Sequence, residues 1–422
     1  MKTHPGRSAA LVVAGVLALA GAAAAQLPAE PIGRVEVLPA TLGPHWVWAS
    51  DPLLERIALV DLDRGEMLGM INGGWGITTG VFPRSRPEVY LPETHYSRGS
   101  RGVRTDVVTF YDARTLAPTG EVVLPPKRAN NVLPSANTAL SDDDRFLAIF
   151  NMTPATSLSI VDVEHRRFTS EISTPGCALA FAAGSRRFAT LCGDGALLLI
   201  TLDDAGHPTS KRRTAPFFDP IADPVTEKAV RWRDSWVFVS FGGEVYRVDF
   251  SGEEPTFEAP WSLLDGVDPE ESWQIGGMQH LAIHEPTGRL YSLMHRGGAD
   301  THKQAGTEVW IHDLASHERV QRIDLRGPGL TVMGVPLAFG EDWLWPFDGL
   351  YGWLVDTLTT YVGVGEIAVT PDDRPLLVTA ADYSGSLGVY DALSGELLRR
   401  VISGNFATVA LQAPWNGMRA EE

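Results

Sequence analysis

Leu387-Gly-Val-Tyr-Asp391-Ala-Leu-Ser-Gly395 is an apolar run closed by an aspartate and a polar turn, and the chain uses that phrase seven times. The other six are Ala58-Leu-Val-Asp61, Val108-Thr-Phe-Tyr-Asp112, Leu158-Ser-Ile-Val-Asp162, Leu198-Leu-Ile-Thr-Leu-Asp203, Val245-Tyr-Arg-Val-Asp249 and Val309-Trp-Ile-His-Asp313. The aspartates recur roughly every 40 to 50 residues until two wider gaps at the end, the repeat length of a four-stranded propeller blade. In each phrase a strand ends where the Asp carboxylate reaches backbone N–H groups two residues on and starts the reversal. Seven such units predict an all-β fold, a seven-bladed β-propeller of four-stranded antiparallel blades. An open β-sandwich with chance hairpins is the competing reading.

A second signature precedes most of these phrases: a polar turn that runs into a strand, as in Ser141-Asp-Asp-Asp-Arg-Phe-Leu-Ala-Ile-Phe150 and Thr370-Pro-Asp-Asp-Arg-Pro-Leu-Leu-Val378. It supplies the inner strands of a blade, the Asp phrase the third strand, and the stretch after it an outer strand. The 42 glycines and 29 prolines among 422 residues suit a fold made of turns.

Residues 1–25 read apart from this repeat. Lys2 and Arg7 precede the apolar stretch Ala9 to Ala22, and Ala23-Ala-Ala25 offers a small-residue cleavage site, the pattern of a secretory signal peptide rather than a membrane span. The expected organisation is therefore a cleaved leader at 1–25 and a propeller over 26–422, in the periplasm. Net charge is −17, and loss of the leader's two cations makes the remainder more acidic still, which disfavours nucleic acid and anionic lipid as partners. Export also favours a disulfide between the only two cysteines, Cys177 and Cys192, which flank a short turn.

One segment, about 327–363, exceeds the blade repeat. It carries Trp343, Trp345, Phe347, Tyr351, Trp353 and Tyr361, and its apolar run is too interrupted to span a bilayer. It reads as an insertion packed on the ring, a docking flap for a partner, or a membrane-surface contact.

The usual catalytic signatures are missing from the sequence: it has no Gly-x-Ser-x-Gly elbow and no His-Glu-x-x-His pair. Gly363-Val-Gly365-Glu-Ile-Ala368 spells part of a dinucleotide fingerprint but runs into a strand instead of opening a helix. His280 and His284 on one strand lie about 13 Å apart, too far for one metal. His295, His302 and His312 fall around Gly297-Gly298 and read more readily as loop histidines than as a ligand set. Asn72-Gly-Gly-Trp75-Gly-Ile-Thr-Thr-Gly80 lets paired glycines present one large ring at a loop tip, either lining a channel or closing a simple turn.

The block Ser272-Trp-Gln-Ile-Gly-Gly-Met-Gln279, Arg289-Leu-Tyr-Ser-Leu293, Gly297-Gly-Ala-Asp-Thr-His-Lys303 and Glu308-Val-Trp-Ile-His-Asp313 resembles the heavy subunit of quinoprotein amine dehydrogenases, the methylamine and aralkylamine dehydrogenases. Gly69-Met-Ile-Asn-Gly-Gly-Trp75, Gly102-Val-Arg-Thr-Asp106 and the spacing of Cys177 and Cys192 add to the resemblance, which covers about 31–405 outside the insertion. It implies a periplasmic α2β2 assembly whose cofactor, tryptophan tryptophylquinone, is built from two tryptophans of a separate light subunit. Primary amines would leave as aldehyde and ammonia, with electrons passing to a cupredoxin of the amicyanin or azurin type, or to a cytochrome c. No catalytic residue and no metal site is then expected in this chain, and Trp75, at the position where the family places a channel-facing aromatic, would wall the substrate channel. Met278, where the family usually has Trp, is a departure, and so is the insertion. Two other functions remain: a periplasmic protein-binding propeller without redox chemistry, and a stand-alone propeller hydrolase or lactonase with a central metal.

Overall fold

A computed structural model describes residues 37–39, 42–130, 135–325, 331–332, 335–336, 363–381 and 385–413. Both the expected leader at 1–25 and nearly all of the aromatic segment at 327–363 lie outside these residues; within that segment the short pairing of Thr331–Val332 with Val335–Pro336, and Gly363, are described. The ring belongs to one compact unit, Leu38–Glu422.

Seven antiparallel sheets follow one another along the chain, as the repeat predicted. Blade 3 shows the pattern plainly: Thr138–Leu140 innermost, then Phe146–Asn151, Ser157–Asp162 and, outermost, Arg167–Ser173. Blade 4 (Cys177–Ala182, Arg187–Cys192, Leu197–Leu202, Pro208–Arg213) and blade 7 (Glu366–Val369, Leu376–Ala380, Ser386–Asp391, Leu397–Ile402) repeat it. Blade 2 (Glu88–Tyr96, Arg104–Asp112, Pro118–Leu124) has its innermost strand reduced to one bridge, Val81 to Tyr90. Blade 5 splits its outer strand into Thr256–Phe257 and Trp261–Ser262. Blade 6 splits its inner strand into Trp273–Ile275 and Leu281–His284, both paired with Arg289–Arg296. Blade 1 mixes the two ends of the described chain: Ala410–Gln412 pairs with Trp48–Ser50, beside Arg56–Asp61 and Glu66–Asn72. That pairing closes the ring.

Every phrase aspartate ends or follows the third strand of its blade. Asp61 accepts from the backbone N–H groups of Asp63 and Arg64 at 2.9 and 3.0 Å, Asp112 from Arg114 and Thr115, Asp313 from Ala315 and Ser316, and Asp391 from Leu393 and Ser394. Asp162, Asp203 and Asp249 take the equivalent N–H groups of His165, Ala205 and Ser251.

The core consists of the contacts between neighbouring blades. Val89 and Leu91 pack with Trp48 and Ile57 of blade 1, whereas Tyr90 on the same strand packs with Leu147 and Ile149 of blade 3. Successive side chains point to opposite faces of a strand, and here both faces are covered. This is why the phrases are continuous apolar runs instead of alternating ones.

Candidate functional site

Strand order places the connections from an outer strand to the next inner strand on one face of the ring, together with the connections between second and third strands. Residues 73–80, 97–103, 214–229 and 297–307 are of this kind, whereas 276–280 interrupt the inner strand of blade 6. Trp75, Lys228 and His302 therefore share this crossover face.

Trp75 is half-buried there. Its backbone N–H donates to the Thr94 carbonyl at 2.7 Å, and its indole meets the Tyr96 ring edge to face with centroids 5.6 Å apart. The flanking glycines are dictated by the fit. A Cβ on Gly74 would stand 2.4 Å from the Thr94 carbonyl oxygen, and Gly76 has φ +96° with the Asn130 carbonyl oxygen 2.6 Å from where a Cβ would sit.

Beneath the loop lies a buried ionic network in blade 2. Asp106, fully buried, accepts from Arg104 through both carboxylate oxygens at 2.8 Å, from the Arg128 backbone N–H at 2.8 Å and from the Thr94 hydroxyl at 2.9 Å. The Arg128 Nε donates to that same hydroxyl at 3.2 Å. Burial lowers the Arg128 guanidinium to about 10, with the Asp106 charge opposing the shift. The Asp106 carboxylate, itself held by the Arg104 guanidinium and the Arg128 amide, thus fixes Thr94 together with the Arg128 side chain, and Thr94 in turn fixes Trp75. The Arg104 and Asp106 positions fall in a quoted motif, but Thr94, Tyr96 and Arg128 escaped the sequence reading, because an isolated Thr, Tyr or loop Arg carries no pattern.

The histidines do not converge. His295 and His312 are buried strand residues instead of loop histidines: the first bonds Thr301 at 2.8 Å and the second packs on Trp261. His302 stacks on Phe241 with ring centroids 3.6 Å apart, His280 bonds Thr226 at 3.1 Å, and His284 bonds Thr287 at 2.8 Å. Among the described residues, the one cluster with ligand-like spacing is Asp162, Glu164 and His165, on a third-strand turn of blade 3. Its Asp162 is committed to the turn amide, His165, Arg145 and Arg167. In the central channel, Asp142 pairs with Arg231 and Asp144 caps the amides of Arg84 and Ser85, so the ring of convergent ligands that a central metal needs is not formed by these groups. Gly363-Val-Gly365 leads directly into the strand Glu366–Val369 and has no helix to hold a pyrophosphate.

Cys177 and Cys192 are directly opposed on the first two strands of blade 4 and form a disulfide. Blade 6 also holds a tryptophan pair, Trp273 and Trp310, with centroids 5.1 Å apart. Both are buried, their indole N–H groups donate to Glu271 and Glu308, and Arg322 stacks on both rings. It is a packing pair, not a cofactor centre open to a substrate. No helix among the described residues is long and apolar enough to cross a membrane.

Against known proteins, the family model described as methylamine dehydrogenase heavy chain matches residues 52–335. The heavy chain from Methylophilus methylotrophus is 22% identical over 405 residues, covering 93% of this chain and 90% of that one. Those from Paracoccus versutus and Methylorubrum extorquens are 26% and 25% identical, covering 84% and 86% of this chain and 76% and 92% of theirs. Among solved structures, dihydro-heme d1 dehydrogenase superposes with a TM-score of 0.52 at 16% identity, over 94% of this chain and 79% of that one. A protein from Desulfotomaculum acetoxidans gives 0.54 at 13% identity, over 88% and 99%. At such identities these two share the fold alone.

Proposed function

The chain belongs to the methylamine dehydrogenase heavy chain family, and from that premise we propose that it is the heavy subunit of a periplasmic quinoprotein amine dehydrogenase. The observation that carries the proposal is the family match over 52–335, which spans the strands of blades 2 to 6 and the two outer strands of blade 1, and includes Trp75 and the Ser272–Asp313 block. The assembly is a heterotetramer with a light subunit that holds tryptophan tryptophylquinone. When bound there, the quinone oxidises a primary amine to aldehyde and ammonia and yields electrons to a cupredoxin or cytochrome c.

This chain's own residues hold and shape. The Trp75 ring, braced by Tyr96 and hung from Thr94, offers an apolar wall at the edge of a loop, suited to exclude water and limit the size of an amine passing it. The Asp106 clamp holds that wall in place without itself touching the amine. Among the described residues, the tryptophan pair Trp273 and Trp310 is sealed inside blade 6 and offers no ring edge to a substrate.

Co-expression with a cysteine-rich small chain encoded beside it tests the assembly. Co-elution of the two chains in equal amounts supports the proposal. A heavy chain that elutes alone under all conditions leaves it a protein-binding propeller of another kind.

A further inference from the structure

The junction of blades 7 and 1, where the ring closes, is apolar and open along its outer part. Leu53 and Leu54, on the turn after Trp46–Asp51, are 62% and 38% exposed, and Met67 and Met70, on the outer strand of blade 1, are both 43% exposed. Ile402 at the end of the outer strand of blade 7 and Phe406 in the connection after it add 45% and 47%. Six of the fifteen large apolar side chains exposed among the described residues thus gather at one of seven junctions. Single exposed apolar residues are ordinary on a protein surface, but a contiguous group marks a contact site.

Shared polar anchors hold the group together. The buried Asp51 accepts the backbone N–H groups of Leu53 and Leu54 through one carboxylate oxygen and those of Phe406 and Ala407 through the other, which ties both loops to one point. Arg56 donates to the Met70 sulfur at 3.1 Å, to the Asn405 side chain at 3.4 Å and to the Gly404 carbonyl. Met67 and Met70 stand opposite Val60 and Ala58, whose face joins the core shared with Val389 and Val401 of blade 7. The methionines lie farther out on that face and stay exposed.

Charge decides what covers this patch. The chain carries −17, so two copies repel over most of their surface. Here, among the described residues, both signs stand without ionic partners: Arg56 spends its guanidinium on neutral groups, and the exposed Glu55 and Glu66 meet no cation. A two-fold contact sets a patch against itself, so the apolar side chains close on one another while Arg56 of one copy faces Glu55 or Glu66 of the other.

We propose that a second copy of this chain covers the junction of blades 7 and 1 in a two-fold dimer. A standard interface needs roughly 800 Å² a side, and these six residues form its dry centre. The chain forms this dimer without a light subunit, so the inference goes beyond the heavy–light assembly, and its failure leaves that assembly untouched.

The mass of the full chain alone is measured by sedimentation equilibrium over a range of concentrations. A concentration-dependent rise to twice the mass of one chain is expected. Phe406→Asp and Leu53→Asp, both at exposed side chains, should each raise the dimer dissociation constant at least about tenfold. Ile221→Asp, 90% exposed on the connection between blades 4 and 5, should leave it unchanged. Glu55→Arg brings the net charge closer to zero, which favours unspecific association, yet it should weaken this dimer because Arg56 then meets a cation. A single-chain mass at every concentration, or a dimer that tolerates both Asp substitutions, overturns the proposal. So does a monomeric chain in which Phe406→Asp costs the light subunit instead, since the patch then belongs to that partner.

Discussion

Asp106 shows what a single residue does in this ring. It is fully buried, and it satisfies Arg104, the Arg128 amide and the Thr94 hydroxyl at once. Removing one member of a buried ionic network leaves the others uncompensated, so Asp106→Leu is expected to destabilise the chain by about 3–5 kcal/mol in denaturant unfolding. Trp75 makes the complementary case, since its substitution should affect selection more than stability. Trp75→Phe keeps an aromatic edge against Tyr96 but returns volume to the loop. Since one methylene in an apolar pocket is worth about 1–3 kcal/mol, the ratio of kcat/KM for a longer amine to that for methylamine should move about tenfold or more in the assembled enzyme. An unchanged ratio would remove Trp75 from the channel wall. The sequence marked Trp75 through the glycines around it. It could not mark Thr94 or Arg128, whose roles come from a strand and a loop that meet only when blade 2 is folded.

At the scale of elements, the seven Asp turns and the blade 4 disulfide carry the predictions. In Asp112, Asp203, Asp313 and Asp391 the backbone amides of Thr115, His207, Ser316 and Ser394 hold the carboxylate below its usual range, and in Asp249 the Ser251 hydroxyl does so. A depressed carboxylate favours the folded state above the unfolded value near pH 4, and that contribution is lost as pH falls through the folded value. The melting temperature should therefore drop steeply from about pH 4 downward, and replacing Asp112 and Asp391 by Asn should flatten that decline. Reducing Cys177–Cys192, a short loop between adjacent strands, should cost about 3 kcal/mol on chain-entropy grounds, with the blade pattern unchanged in circular dichroism. These turns were legible because a carboxylate, a reversal and an apolar run are local features. The reduced inner strand of blade 2 and the split strands of blades 5 and 6 were not, because they answer to the neighbouring blade.

For the whole molecule, closure is the decisive event. Ala410–Gln412 completes blade 1, and the Gln412 side chain spans to Gly80. Truncation before Ala410 exposes the inner edge of Trp46–Asp51 and should turn one cooperative melt into a broad, early transition. The count of blades was open to the sequence because the period is a property of the chain. The site was open to it only in part: a chain that supports chemistry housed in a partner carries few catalytic signatures, and its crossover face gathers residues from loops far apart in sequence. The account stands or falls on that partner. The protein is to be purified untagged from its native periplasm, with intact masses and the visible spectrum recorded before and after a primary amine is added. A small disulfide-rich chain and a quinone band that bleaches with amine are the predicted result; a lone colourless heavy chain that leaves amine untouched would contradict it.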